Sequence, residues 1–281
     1  MTAASGTPFG ERLAAAMRER GPLCAGIDPH SALLAAWDLP VTVAGLERFA
    51  MTAVEALGAE VAVLKPQSAF FEVFGSAGIA VLEKVLAAAT DAGALTLLDV
   101  KRGDIGSTMG AYAQAYLADG SPLAADAITV SPYLGFGSLD PALDLAAETG
   151  RGVFVLALTS NPEGPQVQHA AGAGGVLVAQ QIADAAAARN AGATPFGSVG
   201  LVVGATIGET GVHLGRVNGP LLAPGIGAQG ATAADLRTVF GDDLSAVLPS
   251  SSREILGAGP TVAGLRDAAR RTVEQVRAAL G

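Results

Sequence analysis

The chain has 281 residues, half of them apolar and 15% charged, with 17 Lys and Arg against 26 Asp and Glu and a net charge of −9. A chain of this length buries about 73% of its unfolded surface, so a large core is expected and disorder is excluded. The single cysteine, Cys24, excludes a disulfide scaffold; the lack of a Lys/Arg block argues against duplex nucleic acid, and the lack of a signal-like start or an 18-residue apolar stretch against export or membrane spanning, so a soluble cytoplasmic protein is expected.

Short apolar runs recur along the chain at 23–27, 61–64, 94–98, 127–130, 153–158, 199–203, 221–223 and 246–248. Runs of this length without alternation suit strands covered on both faces, as in parallel sheets. Helical patterns separate them. Thr42 precedes a helix to about Leu57, and Ser107 opens one to about Leu117. Pro141 sits near the first turn of the helix after Ser138, a favoured place for proline. The stretch 164–175 is the longest irregular piece and fits a loop after the fifth strand. Thr232 to Asp235 looks like a capping box, and a last helix covers about 262–280. Eight strands alternating with helices predict a single α/β domain over 1–281, a (β/α)8 TIM barrel; an open doubly wound sheet is the rival.

In such a barrel, chemistry comes from the C-terminal ends of the strands. Those ends here carry Asp28, Lys65, Asp99 with Lys101, Ser131, Thr159 to Asn161, Pro224 to Gly230, and Ser250 to Arg253. Three of the 17 basic residues are lysines, and two of the three, Lys65 and Lys101, close apolar strands. A strand end in a core is an unusual place for lysine. Lysine can release a proton, which arginine effectively cannot. The strand period of two puts Asp99 and Lys101 on one side. Asp104 follows where the loop turns into a helix. Alternating charges would hold both lysines protonated, and a positioned ammonium is a general acid. Asp104 taken alone would be a helix cap, and Asp99 with Lys101 alone a structural ion pair. Four charges at adjacent strand ends point instead to a site.

Residues 225–230 match G-x-G-x-x-G, but late in the chain and after a proline, which does not suit a dinucleotide fingerprint. A phosphate grip fits better: glycines expose backbone N–H groups, and Arg253 can fork onto phosphate oxygens. Barrels often bind phosphate after strands seven and eight beside a short extra helix, expected here at 251–256. His30, His169 and His213 lack metal-ligand spacing, so no zinc site is expected. Ser131 and Ser160 lack a histidine partner for a nucleophilic triad. Cys24 reads as packing.

The segment from Leu98 to Thr108, with its D-x-K-x-x-D core at Asp99, Lys101 and Asp104, resembles the orotidine 5′-phosphate decarboxylase family. Asp28, Lys65, Pro224 to Gly230 and Arg253 fit the same pattern. Thr159 to Pro162 and Pro249 to Glu254 resemble its longer bacterial branch. The resemblance implies a homodimer with shared sites. Asp28, Lys65, Asp99 and Lys101 would come from one subunit, and Asp104, Ile105 and Thr108 from the other. Ser131 would bond the pyrimidine, Gln229 and Arg253 would hold the phosphate, and Pro224 and Gly225 would be substrate-binding residues beside them. It implies decarboxylation of orotidine 5′-phosphate to uridine 5′-phosphate with no metal or organic cofactor. Two other readings remain: a magnesium-dependent sugar-phosphate lyase or decarboxylase, which usually has a metal-binding Glu where Lys65 stands, and a non-catalytic phosphate-ligand binder, against which retention of the whole charge set argues.

Overall fold

Unbroken apolar runs need cover on both faces, and in the computed structural model eight of them obtain it by closing into a parallel barrel. The structure describes residues 6–225, 233–242 and 244–281. The strands are β1 (Cys24–Ile27), β2 (Val63–Pro66), β3 (Leu95–Arg102), β4 (Ala127–Val130), β5 (Gly152–Leu158), β6 (Val199–Val203), β7 (Leu221–Pro224) and β8 (Val247–Ser251). Each pairs with the next, and β8 returns to β1 through Cys24↔Ser250 and Ala25↔Ser251. That closure excludes the open sheet.

The period of two divides each strand between two cores. One set of side chains, including Ile27, Leu64, Leu98, Ile128, Val155, Leu201 and Val247, packs outward under the helices. The other set, Cys24, Val63, Leu97, Ala127, Phe154, Leu222 and Leu248, fills the barrel interior. Two residues further along the interior positions turn polar: Val63 leads to Lys65, Leu97 to Asp99, Ala127 to Thr129 and Leu248 to Ser250. The sequence thus builds an apolar floor and puts a polar rim above it.

The sequence pattern assigns no element before residue 23, yet Phe9–Arg20 forms a helix that plugs the opposite end of the barrel. Phe9 and Leu13 are fully buried there, and the Phe9 ring meets Phe154 edge-on at 6.0 Å. Thr42 caps the helix Val43–Leu57 by accepting from the Gly45 N–H, and the helix Val262–Leu280 keeps its expected bounds. Pro141 lies in the first turn of Asp140–Thr149. The stretch 164–175 holds a short helix, Pro165–Gln168, and a 3-10 turn, Ala173–Gly175, so it is less irregular than expected. The short helix after β8 is Arg253–Leu256, because Ser251 still belongs to the strand. Thr232 lies outside the described residues.

Asp126 ties the plug to the barrel. Its carboxylate accepts from the Arg12 guanidinium at 2.5 Å and from the Thr96 N–H and hydroxyl at 2.8 and 3.0 Å. Asp126→Ala leaves those donors unmatched. It is expected to lower unfolding stability by about 1–3 kcal/mol, read from the urea midpoint, without changing turnover at 25 °C. A fall in turnover at unchanged stability would refute this assignment.

Candidate active site

A cavity of about 310 Å³ opens at the C-terminal end of the barrel. Of the residues expected there, it brings together Asp28, Lys65, Asp99, Lys101, Thr159, Ser160, Pro224, Gly225 and Arg253. Leu156, Val202 and Leu222 form an apolar wall, and Thr129 and Ser250 to Ser252 add hydroxyls. Asp104, Ile105 and Thr108 do not line it. The Asp104 carboxylate accepts from the Ile105 N–H at 2.8 Å, while Ile105 and Thr108 are exposed. Ser131 lines a neighbouring cavity of about 490 Å³, which shares Leu156 with the first. Gln229 lies outside the described residues.

The charged groups form a chain. Asp99 is buried, with one carboxylate oxygen 3.2 Å from the Lys65 ammonium and the other 2.6 Å from that of Lys101. The Thr129 hydroxyl donates to the second oxygen at 2.7 Å. Burial pushes the Asp99 carboxyl up, but the ammonium groups of Lys65 and Lys101 and the donated hydrogen bonds outweigh it and hold the pKa at about 2. Burial works against the charge of Lys65 as well; Asp99 and then Asp28 overcome it and raise the lysine. Lys65 is therefore a fixed cation. Lys101 is the exposed end of the chain, its side chain 45% accessible beside the cavity.

The backbone that presents Lys101 is not a regular strand. The β3–β4 register shifts between Leu98 and Arg102, and Lys101 has a φ of 45°, in the left-handed region that a lysine rarely adopts. Regular alternation therefore does not bring Asp99 and Lys101 together; a bulge does. Beyond it, Gly103 passes so close to the Ser131 carbonyl that a Cβ would collide.

The other end of the cavity has the character of an anion site. Gly225 leaves β7 at a φ of 111°, open in practice only to glycine. The Arg253 side chain is exposed at the cavity and makes no hydrogen bond or ion pair among the described residues. Two buried hydroxyls beside it, Ser251 Oγ and Ser252 Oγ, also lack hydrogen-bond partners; so does Asp28 Oδ1, which as a carboxylate oxygen is no part of an anion site. A serine hydroxyl without a partner is free to turn toward an anion.

Among the described residues, no group of three His, Cys, Asp or Glu side chains could hold a metal ion, and no helix is long and apolar enough to cross a membrane. Cys24 is buried, and burial pushes its thiol up to about 12, which suits packing. Thr129 and the apolar wall escaped the search of strand ends because they lie inside strands. Thr129 was traceable in principle, since it follows Ala127 by one interior step.

A family model described as orotidine 5′-phosphate decarboxylase / HUMPS matches residues 21–268. Orotidine 5′-phosphate decarboxylases of Salinispora arenicola and Streptomyces coelicolor are 67% and 60% identical to the chain, in each case over 97% of it and 98% of the relative. A crystallised Streptomyces avermitilis chain assigned the same activity superposes with a TM-score of 0.96 at 60% identity, covering 100% of this chain and 98% of that one. The Leishmania donovani OMP decarboxylase structure gives a TM-score of 0.76 at 33% identity, over 98% and 99%.

Proposed function

The chain belongs to the orotidine 5′-phosphate decarboxylase / HUMPS family, and from that premise we propose how its residues divide the work of the reaction. It is a carboxy-lyase of pyrimidine nucleotide synthesis, converting orotidine 5′-phosphate to uridine 5′-phosphate and CO2. The observation that carries the finer reading is the buried Lys65–Asp99–Lys101 chain at the barrel rim.

When the C6–CO2 bond breaks, its electron pair stays on C6 of the pyrimidine. The Lys101 ammonium stabilises that charge and then gives C6 a proton, leaving an amine that takes a proton back from water. Asp99 holds Lys101 in place. It also faces the departing carboxylate, so its negative charge disfavours the reactant more than the neutral CO2 that leaves. The apolar wall of Leu156, Val202 and Leu222 suits CO2 better than a carboxylate. Lys65 neutralises Asp99 from below, where a divalent cation would meet repulsion, and this supports a metal-free reaction. Asp28 lines the same cavity and accepts from a ribose hydroxyl through its carboxylate. Gly225, Gln229 and Arg253 take the phosphate, with Pro224 lining the cavity beside them; the phosphate lies far from C6 and helps align the base. Ser131, the residue the resemblance offers for the pyrimidine, lines the adjoining cavity; Thr159 and Ser160 line the substrate cavity itself and bond the base in its place.

The site is completed by a second copy. Asp104, Ile105 and Thr108 lie off the cavity of their own chain. Val73, Ile105, Tyr133 and Leu134, on loops beyond β2, β3 and β4, are 76%, 61%, 77% and 52% exposed, a set of large apolar side chains suited to a homodimer interface. The chain 1–281 is then one functional unit per subunit, working in the cytoplasm.

Kinetics test the phosphate assignment. Arg253→Ala is expected to raise KM for orotidine 5′-phosphate about 10- to 100-fold, the range of a charge-assisted hydrogen bond, as followed by loss of the orotate absorbance. An unchanged KM would remove Arg253 from the phosphate site.

A further inference from the structure

We propose that Thr129 is a positioning residue for the proton transfer, its one hydroxyl setting both the backbone of Lys101 and the carboxylate of Asp99. The inference rests on Lys101 as the proton donor. Leu98 pairs with Ile128 and Arg102 with Val130, so Asp99, Val100 and Lys101 together face a single β4 residue, Thr129. A bulge of this kind removes ladder hydrogen bonds. The Thr129 side chain replaces one of them: its oxygen accepts from the Lys101 N–H at 3.0 Å. Its hydroxyl proton goes to Asp99 Oδ1 at 2.7 Å, the same oxygen that accepts from Lys101 Nζ at 2.6 Å.

These bonds close a ring. It runs from the Lys101 N–H through the threonine hydroxyl to the Asp99 carboxylate and back along the lysine side chain. The hydroxyl is donor and acceptor at once, and Thr129 is 1% exposed, so water does not replace it readily. The left-handed backbone at Lys101 persists only while its surroundings impose it. Without the hydroxyl, the Lys101 N–H loses its acceptor and the strand is free to relax toward extended geometry. The ammonium then swings away from Asp99 and from the position of C6.

Thr129→Val keeps the shape and deletes the hydroxyl. It is expected to lower kcat about 10- to 100-fold, the penalty of a misplaced reacting group, with KM for orotidine 5′-phosphate held within about threefold, and Thr129→Ser is expected to restore kcat to within about threefold of wild type. Sites are counted by calorimetric titration with uridine 5′-phosphate, so loss of folded protein does not imitate the effect. Thr129→Ala against Thr129→Ser makes the same comparison if the valine chain does not fold. Wild-type kcat per site in the variant without the hydroxyl, or equal losses with and without it, would overturn the proposal. Lys101→Ala in the same series separates the two levels. If it keeps its turnover, the proton-donor reading falls and this inference with it. If it is inactive while Thr129→Val is unimpaired, this inference alone falls.

Discussion

Lys101→Ala is expected to lower kcat by about 10⁴-fold or more, because one ammonium both stabilises the developing charge and supplies the proton. The fold should survive the change. Asp99 keeps Lys65 and the Thr129 hydroxyl as partners, and the lysine side chain is nearly half exposed. Phosphate and ribose contacts lie elsewhere in the cavity, so the affinity for uridine 5′-phosphate should change little. Single-turnover kinetics with orotidine 5′-phosphate measure the first expectation and calorimetry the second. Loss of turnover with loss of product binding would mean that Lys101 supports the cavity rather than the chemistry.

The largest effect on stability is expected at Asp99. Asp99→Asn leaves the buried Lys65 ammonium facing an amide, with only the weaker attraction of the Asp28 carboxylate to offset its charge. Removing one partner of a buried ion pair costs about 3–5 kcal/mol, because the other charge stays behind. Lys65→Met should cost less than half as much, since Asp99 retains Lys101 and Thr129. Urea unfolding of the three chains decides this, and equal losses in both variants would contradict it. The pH dependence has a definite sign. The Asp99 pKa falls from 3.8 to about 2 on folding, so its contribution is fully present above about pH 4 and is lost as the pH falls toward 2. Asp99→Asn should lack that part of the acid limb.

Much of the barrel was legible because two-sided burial leaves a plain mark: eight apolar runs, each ending in polar residues. The runs at 127–130 and 199–203 match β4 and β6 to the residue. β3 runs on to Arg102, four residues past its apolar run, because its last turn toward the site is charged. The N-terminal plug was missed, since one short amphipathic helix resembles many. Lys65 and Lys101 stood out because a cation at the end of a buried strand needs a reason, but the placing of both ammonium groups on Asp99 is a finding of the structure. The bulge that delivers Lys101 could not be read from the strand period, which assumes a regular ladder. Thr129 was hidden for a related reason, as a small polar residue within an apolar strand passes for a strand former. Asp104 shows a different limit. Its spacing from Lys101 marks it, but one chain does not bring it to the cavity.

The most direct measurement follows the orotate absorbance of orotidine 5′-phosphate with the purified wild-type protein after dialysis against EDTA. Full turnover without added metal is the result predicted for a site whose cation is Lys65 and whose acid is Lys101. Turnover that is lost on dialysis and restored by magnesium would contradict that account.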